Sequence, residues 1–283
     1  MVKLDFPSSV EEACRLLSES GGEARIIAGG VALLVLVHHQ LFFPAELISL
    51  KRVPGLDQVG FDEASGLSIG ALGTHHQVES SPIVRQRYPA LAECLHHVGN
   101  LRVRNIGTVV GDLCQGDNHS DPAPLLTVLG AQLRVCSIRG ERLIPMKEFH
   151  RDIYETSLKE DEIVTEIVIP PPPAGARAAY LRFSGNSPID WPLVGTAGTL
   201  IKEDGRCKEL KISLGALTAV PVSFDQEAES LKDKKLTPAA VKEFARACAA
   251  RIEPIPDDRG SQWYKRQIAE VYIRRTVERL ARE

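Results

Sequence analysis

Apolar residues in this chain recur with two periods, and the switches between them outline its elements. Val10, Ala13, Cys14 and Leu17 repeat at helical spacing. Ser8 and Ser9 each stand three residues before a glutamate, Glu11 and Glu12, as in a capping box, and Gly21-Gly22 supplies the stop. Residues 25–28 read as a strand and residues 31–39 as a helix entered through Gly29-Gly30. A strand, a glycine turn and a helix together aim unpaired backbone N–H groups at whatever lies above Gly30. Residues 47–50 predict a second strand, and residues 51–55 its exit loop.

The texture changes near Val53. Residues 67–71 alternate like a strand, residues 88–98 predict a helix, and residues 131–136 and 163–169 predict strands. Pro122-Ala123-Pro124 ahead of the apolar run 125–129 suggests a helix begun by proline. Four successive prolines, 170–173, followed by Gly175, mark the clearest boundary, because they cannot continue a strand and behave as a stiff spacer. Beyond them, residues 178–183, 194–201 and 210–216 look like strands. Thr237-Pro238 then opens a helix with Val241, Phe244, Ala245 and Cys248 on one face. A last helix from about Trp263 aligns Ala269, Ile273, Val277 and Leu280. Strand, helix and strand followed by mixed short elements exclude one long doubly wound sheet and predict an α+β chain. The boundary divides it into residues 1–173, with lobes of about 1–52 and 53–173, and residues 174–283.

Composition narrows the function classes. A length of 283 residues allows one to three domains with ample core. A net charge of −3 gives no electrostatic reason to expect nucleic acid or an anionic membrane. The longest apolar run, residues 26–37, contains two glycines and ends in His38-His39, so it is too short to span a bilayer. The N-terminal residues lack a basic-then-apolar signal pattern, and the expected location is cytoplasmic. No two of the six cysteines lie within three residues of each other, so zinc and iron–sulfur spacings are absent and no metal site is predicted. The pairs His38-His39, His75-His76 and His96-His97 point in different directions on a helix; they read as surface or core histidines. H-E-x-x-H does not occur, and the one G-x-S-x-G, residues 66–70, falls in the stretch that alternates like a strand rather than at a turn into a helix, which leaves hydrolase readings without support.

Candidate chemistry concentrates in two glycine-bearing segments. The first is Ala28-Gly29-Gly30-Val31-Ala32-Leu33, and the second is Asn105-Ile106-Gly107-Thr108-Val109-Val110-Gly111-Asp112, followed by Ser120-Asp121. Without a Cβ in the way, backbone N–H groups can approach an anion. One such loop is equally a strand-to-helix turn that needs glycine for its geometry. Two in one chain suggest a long ligand with a diphosphate. Asp121 is alternatively a turn residue before Pro122.

In order and spacing these segments resemble the two flavin-binding loops of the medium subunit of molybdenum hydroxylases, the carbon monoxide dehydrogenase and xanthine dehydrogenase family. That family typically reads A-G-G-T-(D/S/A)-L, then N-x-(A/G)-T-(I/V)-G-G-N with a downstream S-D-x-x-P. Residues 67–75, 162–170, 214–216 and 264–271 also match, so the resemblance runs from about Phe6 to Leu280. It implies a two-lobed PCMH-type FAD-binding domain with flavin in the cleft between its lobes, then a C-terminal α+β domain of the carbon monoxide dehydrogenase flavoprotein type. The cofactor implied is FAD, with its diphosphate between residues 28–33 and 108–112. The resemblance further implies that Asp121, beside Ser120, bonds a ribityl or ribose hydroxyl, that Val98 packs near the flavin, and that Val164 forms an apolar wall. Thr74 would reach the isoalloxazine, and Arg182, where the family usually has lysine, would offset flavin or phosphate charge. The implied partners are a large molybdenum-cofactor subunit and a small [2Fe–2S] subunit. This chain would pass their electrons through FAD to an external acceptor, with no catalytic side chain of its own. Related 4-hydroxybenzoyl-CoA reductases carry an iron–sulfur insertion after the position of Cys114; this chain lacks it, and Cys114 reads as structural.

Three departures fall in the loops. Val31 replaces the family's threonine, Val110 its second glycine and Asp112 its asparagine. A branched residue at 110 disfavours positive φ and close backbone approach. A carboxylate at about 5 Å from a phosphate, at an effective dielectric near 20, would repel it by roughly 3 kcal/mol. These departures predict weaker FAD binding and motivate an alternative: a non-redox scaffold subunit of the same fold.

Overall fold

The first helix, α1 (Val10–Glu19), begins as its sequence predicts. Ser9 Oγ accepts the Glu12 N–H at 3.1 Å, and the Glu12 carboxylate accepts the Ser8 N–H at 2.7 Å. The computed structural model describes residues 2–185, 187 and 189–282, with elements numbered below in chain order. The backbone divides into two compact units.

Met1–Ser81, Asn100–Asp117 and Ala131–Pro171 form the first unit. Its smaller sheet holds β1 (Lys3–Asp5), β2 (Ala24–Ile27) and β3 (Glu46–Ser49), parallel in the order β1-β3-β2. Parallel neighbours require crossovers, which α1 and α2 (Val31–His38) supply. Its larger sheet is antiparallel, in the order β4 (Val59–Asp62), β5 (Gly66–Gly70), β10 (Ile163–Ile169), β6 (Gln132–Ser137) and β7 (Gly140–Pro145). A hairpin of β8 (His150–Asp152) and β9 (Glu155–Thr156) lies between β7 and β10 in sequence. Three short helices complete the unit: α3 (His75–Ser80), α6 (Leu101–Ile106) and α7 (Val109–Gln115). Leu67, Ile69, Val109, Leu113, Leu133 and Ile167 are fully buried in its core, where α7 packs on β5 and β10.

Pro82–Gly99, Asn118–Gly130 and Pro172–Glu283 form the second unit. It contains α4 (Pro82–Arg87), α5 (Pro89–His96) and α8 (Pro122–Val128), the last two with proline in the first turn. One antiparallel sheet runs β11 (Arg177–Phe183), β12 (Val194–Glu203), β13 (Arg206–Gly215) and β14 (Val222–Ser223). Helices α9 (Asp225–Glu229), α10 (Pro238–Arg251) and α11 (Gln262–Arg282) follow. The alternation of β12 and β13 sends Ile212 and Leu214 into a core with Phe244, Cys248, Ile273, Val277 and Leu280. On the opposite face of the sheet, a Cβ at Gly215 would stand 3.1 Å from Pro124 of α8, which fixes how closely that helix packs.

The predicted helix and strands around the first glycine turn appear within a residue or two of their expected limits. The second glycine segment differs. Residues 109–115 are not a loop but α7, and residues 101–106 form α6. Asn100 and Thr108 cap these helices with their side chains, and Gly116 ends α7 at φ 68. Glycines 107 and 116 thus bracket α7, which like α6 is too short to show a full apolar period.

Candidate cofactor site

Three chain reversals meet in the first unit. In the first, β2 turns through residues 28–30 into α2, whose N-cap is Gly30 at φ 79. That left-handed backbone costs an L-residue roughly 1–2 kcal/mol, and glycine avoids the cost. No side chain caps α2, so the amides of Val31, Ala32 and Leu33 face outward from its first turn without an intrahelical acceptor. In the second reversal, Thr74 caps α3, its Oγ1 accepting the Gln77 N–H at 3.1 Å. In the third, Thr108 caps α7, its Oγ1 accepting the Gly111 N–H at 3.0 Å.

Backbone contacts lock the three together. Thr74 and Thr108 are bridged as antiparallel partners. The His75 N–H donates to the Gly107 carbonyl at 3.0 Å, and the Val109 N–H to the Gly73 carbonyl at 3.0 Å. Gly29 sits so close to the second segment that a Cβ there would fall 2.1 Å from the Ile106 carbonyl oxygen. Residues 28–33, Thr74 and residues 108–112 are therefore brought together.

The departures in the loops take on different meanings. Val110 is the second residue of α7, is 4% exposed, and is absent from the described non-glycine residues with positive φ. The expected conflict between valine and a glycine backbone does not arise, because this position is helical and its side chain fills the core. Asp112 lies in the first turn of α7, where the helix dipole favours a carboxylate. One of its oxygens is 3.7 Å from His75 Nε2. His75 is 2% exposed, and burial pushes it down to about 4, with Glu79 opposing the shift and Arg104 adding a smaller push in the same direction as burial. It is neutral near pH 7, and its Nδ1 is buried without a hydrogen-bond partner. Glu79 beside it is ion-paired with Arg104 at 3.3 Å and bonded to His76 at 3.0 Å. Val164 lies elsewhere in this unit, buried on β10 next to a break in its register with β6. Cys114 is on α7, partly buried, its thiol pushed up to about 12 by desolvation.

The second unit contains the remaining candidates, Val98, Ser120, Asp121 and Arg182. Asp121 is 6% exposed; Tyr180 donates its hydroxyl to one oxygen at 2.5 Å, and Arg182 donates to the other at 3.1 Å. Burial pushes this carboxyl up to about 6 even though Arg182 and Tyr180 oppose the shift. Arg182 also donates to the carbonyls of His97, at 2.8 Å, and Asp190. It thereby fixes the residue next to Val98, the turn at Asp121 and the chain before Trp191. Ser120 Oγ and Arg182 Nε are buried with no partner, and each remains available as a polar contact for a ligand.

Sequence reasoning passed over Tyr180, which lies 59 positions from its partner Asp121. It also missed the stack of His119 on Trp191, ring centroids 5.3 Å apart, with Arg259 over the same indole. Nothing local marks such pairs. His75 carried a signal in its position directly after a capping threonine, which puts it in a helix's first turn.

Residues 2–172 match the family described as FAD binding domain in molybdopterin dehydrogenase, and residues 179–280 match the CO dehydrogenase flavoprotein C-terminal domain. The chain is 32% identical over 273 residues to the 6-hydroxypseudooxynicotine dehydrogenase complex subunit alpha of Paenarthrobacter nicotinovorans, covering 95% of this chain and 90% of that protein. It is 31% identical to the carbon monoxide dehydrogenase medium chain of Hydrogenophaga pseudoflava, covering 96% and 94%. Among solved structures, carbon monoxide dehydrogenase from Hydrogenophaga pseudoflava lacking the Mo-pyranopterin moiety superposes with a TM-score of 0.94 at 32% identity, over 98% of this chain and 96% of that one.

Proposed function

From the premise that this chain belongs to the family of FAD-binding domains of molybdopterin dehydrogenases, we propose that it is the electron-transferring flavoprotein subunit of a cytoplasmic molybdenum hydroxylase. In this reading a small [2Fe–2S] subunit delivers electrons to it, a large molybdenum-cofactor subunit oxidises the organic substrate, and an external acceptor removes the electrons. FAD supplies the chemistry, since it takes up and gives off electrons singly or in pairs.

One observation carries the reading. The N-terminus of α2 is uncapped behind a left-handed glycine, while the neighbouring starts of α3 and α7 are capped by threonines. Amides of residues 31–33 would hold the diphosphate by hydrogen bonds and by the positive end of the helix. Thr74 and Thr108 each accept a backbone N–H with the hydroxyl oxygen, which sets the spacing of the turns and leaves the hydroxyl proton to donate to the flavin. Ser120 Oγ and Arg182 Nε, two of the unpartnered groups of the second unit, we assign to flavin contact, with Asp121 as acceptor. Val98 and Val164 are assigned to apolar walls. The scaffold alternative rested on Val31, Val110 and Asp112, and the helical backbone at Val110 removes one of its three supports.

Titration of the purified chain with FAD tests the proposal. Gly30→Val, which puts a branched side chain on a left-handed backbone in front of the free amides, is expected to weaken binding at least about tenfold. A parent chain that takes up no FAD, or a Gly30→Val chain that binds it as well as the parent, would remove the reading.

A further inference from the structure

Behind the second glycine turn lies a buried base, His75. A Cβ on Gly107 would meet His75 Cδ2 at 3.4 Å and Val31 Cγ2 at 3.6 Å, so the imidazole and the side chain at the head of α2 are at most about 7 Å apart. The bond from the His75 N–H to the Gly107 carbonyl holds the base in this position. Two carboxylates act on the ring. Asp112 of α7 has an oxygen 3.7 Å from Nε2, close enough for an ion pair though too long for a hydrogen bond. Glu79 follows one turn along α3 and also favours a charged ring. Arg104 of α6 pairs with Glu79 at 3.3 Å, and the partly exposed His76 bonds the same carboxylate at 3.0 Å. The side of α2 contributes no such charge, since residues 26–45 contain no Asp, Glu, Lys or Arg. With the imidazole neutral, two carboxylates and one guanidinium leave a formal charge of −1 in this cluster. His75 Nδ1 is buried with no hydrogen-bond partner, so no bond at that nitrogen fixes the ring in its neutral form.

We infer that His75 is a positioning residue for the cofactor, the counter-cation of the FAD-bound site: FAD enters together with one proton, which goes to the imidazole and pairs it with Asp112. The inference rests on the proposal that the amides of residues 31–33 hold the diphosphate. That group would bring further negative charge to the head of α2. At about 7 Å and an effective dielectric near 20, one such charge moves a protonation equilibrium by more than about tenfold. The proton comes from solvent and goes to whichever ring nitrogen lacks one, leaving Nε2–H toward Asp112. An imidazolium beside Asp112 also offsets the repulsion between that carboxylate and a phosphate. In the FAD-free chain His75 gains its proton only near pH 4. Between pH 7 and 5 the FAD-bound chain therefore holds a proton that the free chain does not, and linkage makes the affinity for FAD rise as pH falls.

FAD titrations of the full chain at pH 7, 6 and 5 test the proposal, with His75→Gln and Asp112→Asn beside the parent. Glutamine keeps an N–H donor but cannot ionise. The affinity of the parent relative to His75→Gln should rise at least about tenfold from pH 7 to pH 5. Asp121 titrates in the same range, but it is common to both chains and cancels in the ratio. Asp112→Asn, which keeps the imidazole and removes its ion-pair partner, should show less than half of that rise on a logarithmic scale. A ratio that does not change with pH overturns the proposal, and so does an Asp112→Asn chain with the full pH dependence of the parent. A second measurement needs no variant. With the rings of the eight histidines labelled for carbon NMR, one imidazole that is silent above pH 5 in the free chain should titrate above pH 5 once FAD is bound. Its failure to do so also overturns the proposal. Binding to the parent at pH 7 separates the two claims. A parent that binds FAD with a constant ratio keeps the flavin cradle and loses the proton, whereas a parent that binds none at any pH removes both.

Discussion

The two glycine-bearing turns share a sequence signature and differ in almost everything else. Each leads into a short helix of the first unit, at Val31 and at Val109. At the first turn, the cap is a glycine without a side-chain hydrogen bond, and the helix behind it has no buried residue. At the second, Thr108 satisfies an amide, while Val109, Val110 and Leu113 are buried in the core. The first turn therefore offers unsatisfied donors, and the second provides the frame that positions them. A glycine-rich pattern by itself does not say which of these roles a turn has. The capping side chain and the burial of the following turn decide it.

Replacement of Gly29 should damage both turns at once. Gly29→Ala drives a Cβ into the Ile106 carbonyl, a backbone atom that cannot move aside. The expected loss is about 3 kcal/mol of stability, the upper end for an inserted methyl group because the opposing atom is backbone, together with FAD binding. Thermal melts and an FAD titration check this, and an unchanged melting temperature would mean that the two turns do not depend on each other.

Acid should act on the second turn through His75. Its folded pKa, about 4, lies below the ordinary histidine value of about 6.5, so between these values the unfolded chain binds the proton and the folded chain does not. This contribution to stability is complete above about pH 6.5 and is lost as pH falls toward 4, by up to about 3 kcal/mol. Asp121 has the opposite sign. Its folded pKa of about 6 is above the ordinary aspartate value, so its contribution grows as pH falls through the same window. Denaturant melts of His75→Gln against the parent between pH 4 and 7 isolate the histidine, since Asp121 is common to both. Parallel stability curves would show that His75 does not titrate as described.

The smallest effect is expected at Val110. Val110→Gly empties a packed position and adds the cost of glycine in a helix, about 2 kcal/mol together, without any gain in FAD affinity. A gain would return this turn to the role its sequence suggested, with a glycine wanted at its second position.

Much of the fold was legible where local chemistry governs. Ser9 with Glu12, Thr237 before Pro238 and the glycines at 29–30 each begin an element where read, because caps and turn backbones are settled within a few residues. Helices α6 and α7 were not legible: at six and seven residues they are too short for a periodic pattern, and their glycines suggested a loop. Among the candidate residues, the sequence singled out both turns, Thr74, Asp121 and Arg182, but not the contacts each makes inside the fold. Asp121 reads as an acceptor for a ligand, and the fold adds what no local pattern carries: it also accepts from Tyr180 and Arg182, 59 and 61 positions away.

The sequence by itself determined the family, the order of the elements and the positions of the two turns, since each is written in neighbouring residues. Tertiary structure alone decided that Val110 is core, that His75 is neutral, that Asp121 is committed to an ion pair and that α2 is left uncovered. These outcomes depend on burial and on partners remote in sequence, and the desolvation that sets the charge on a side chain does not exist until the chain has closed around it.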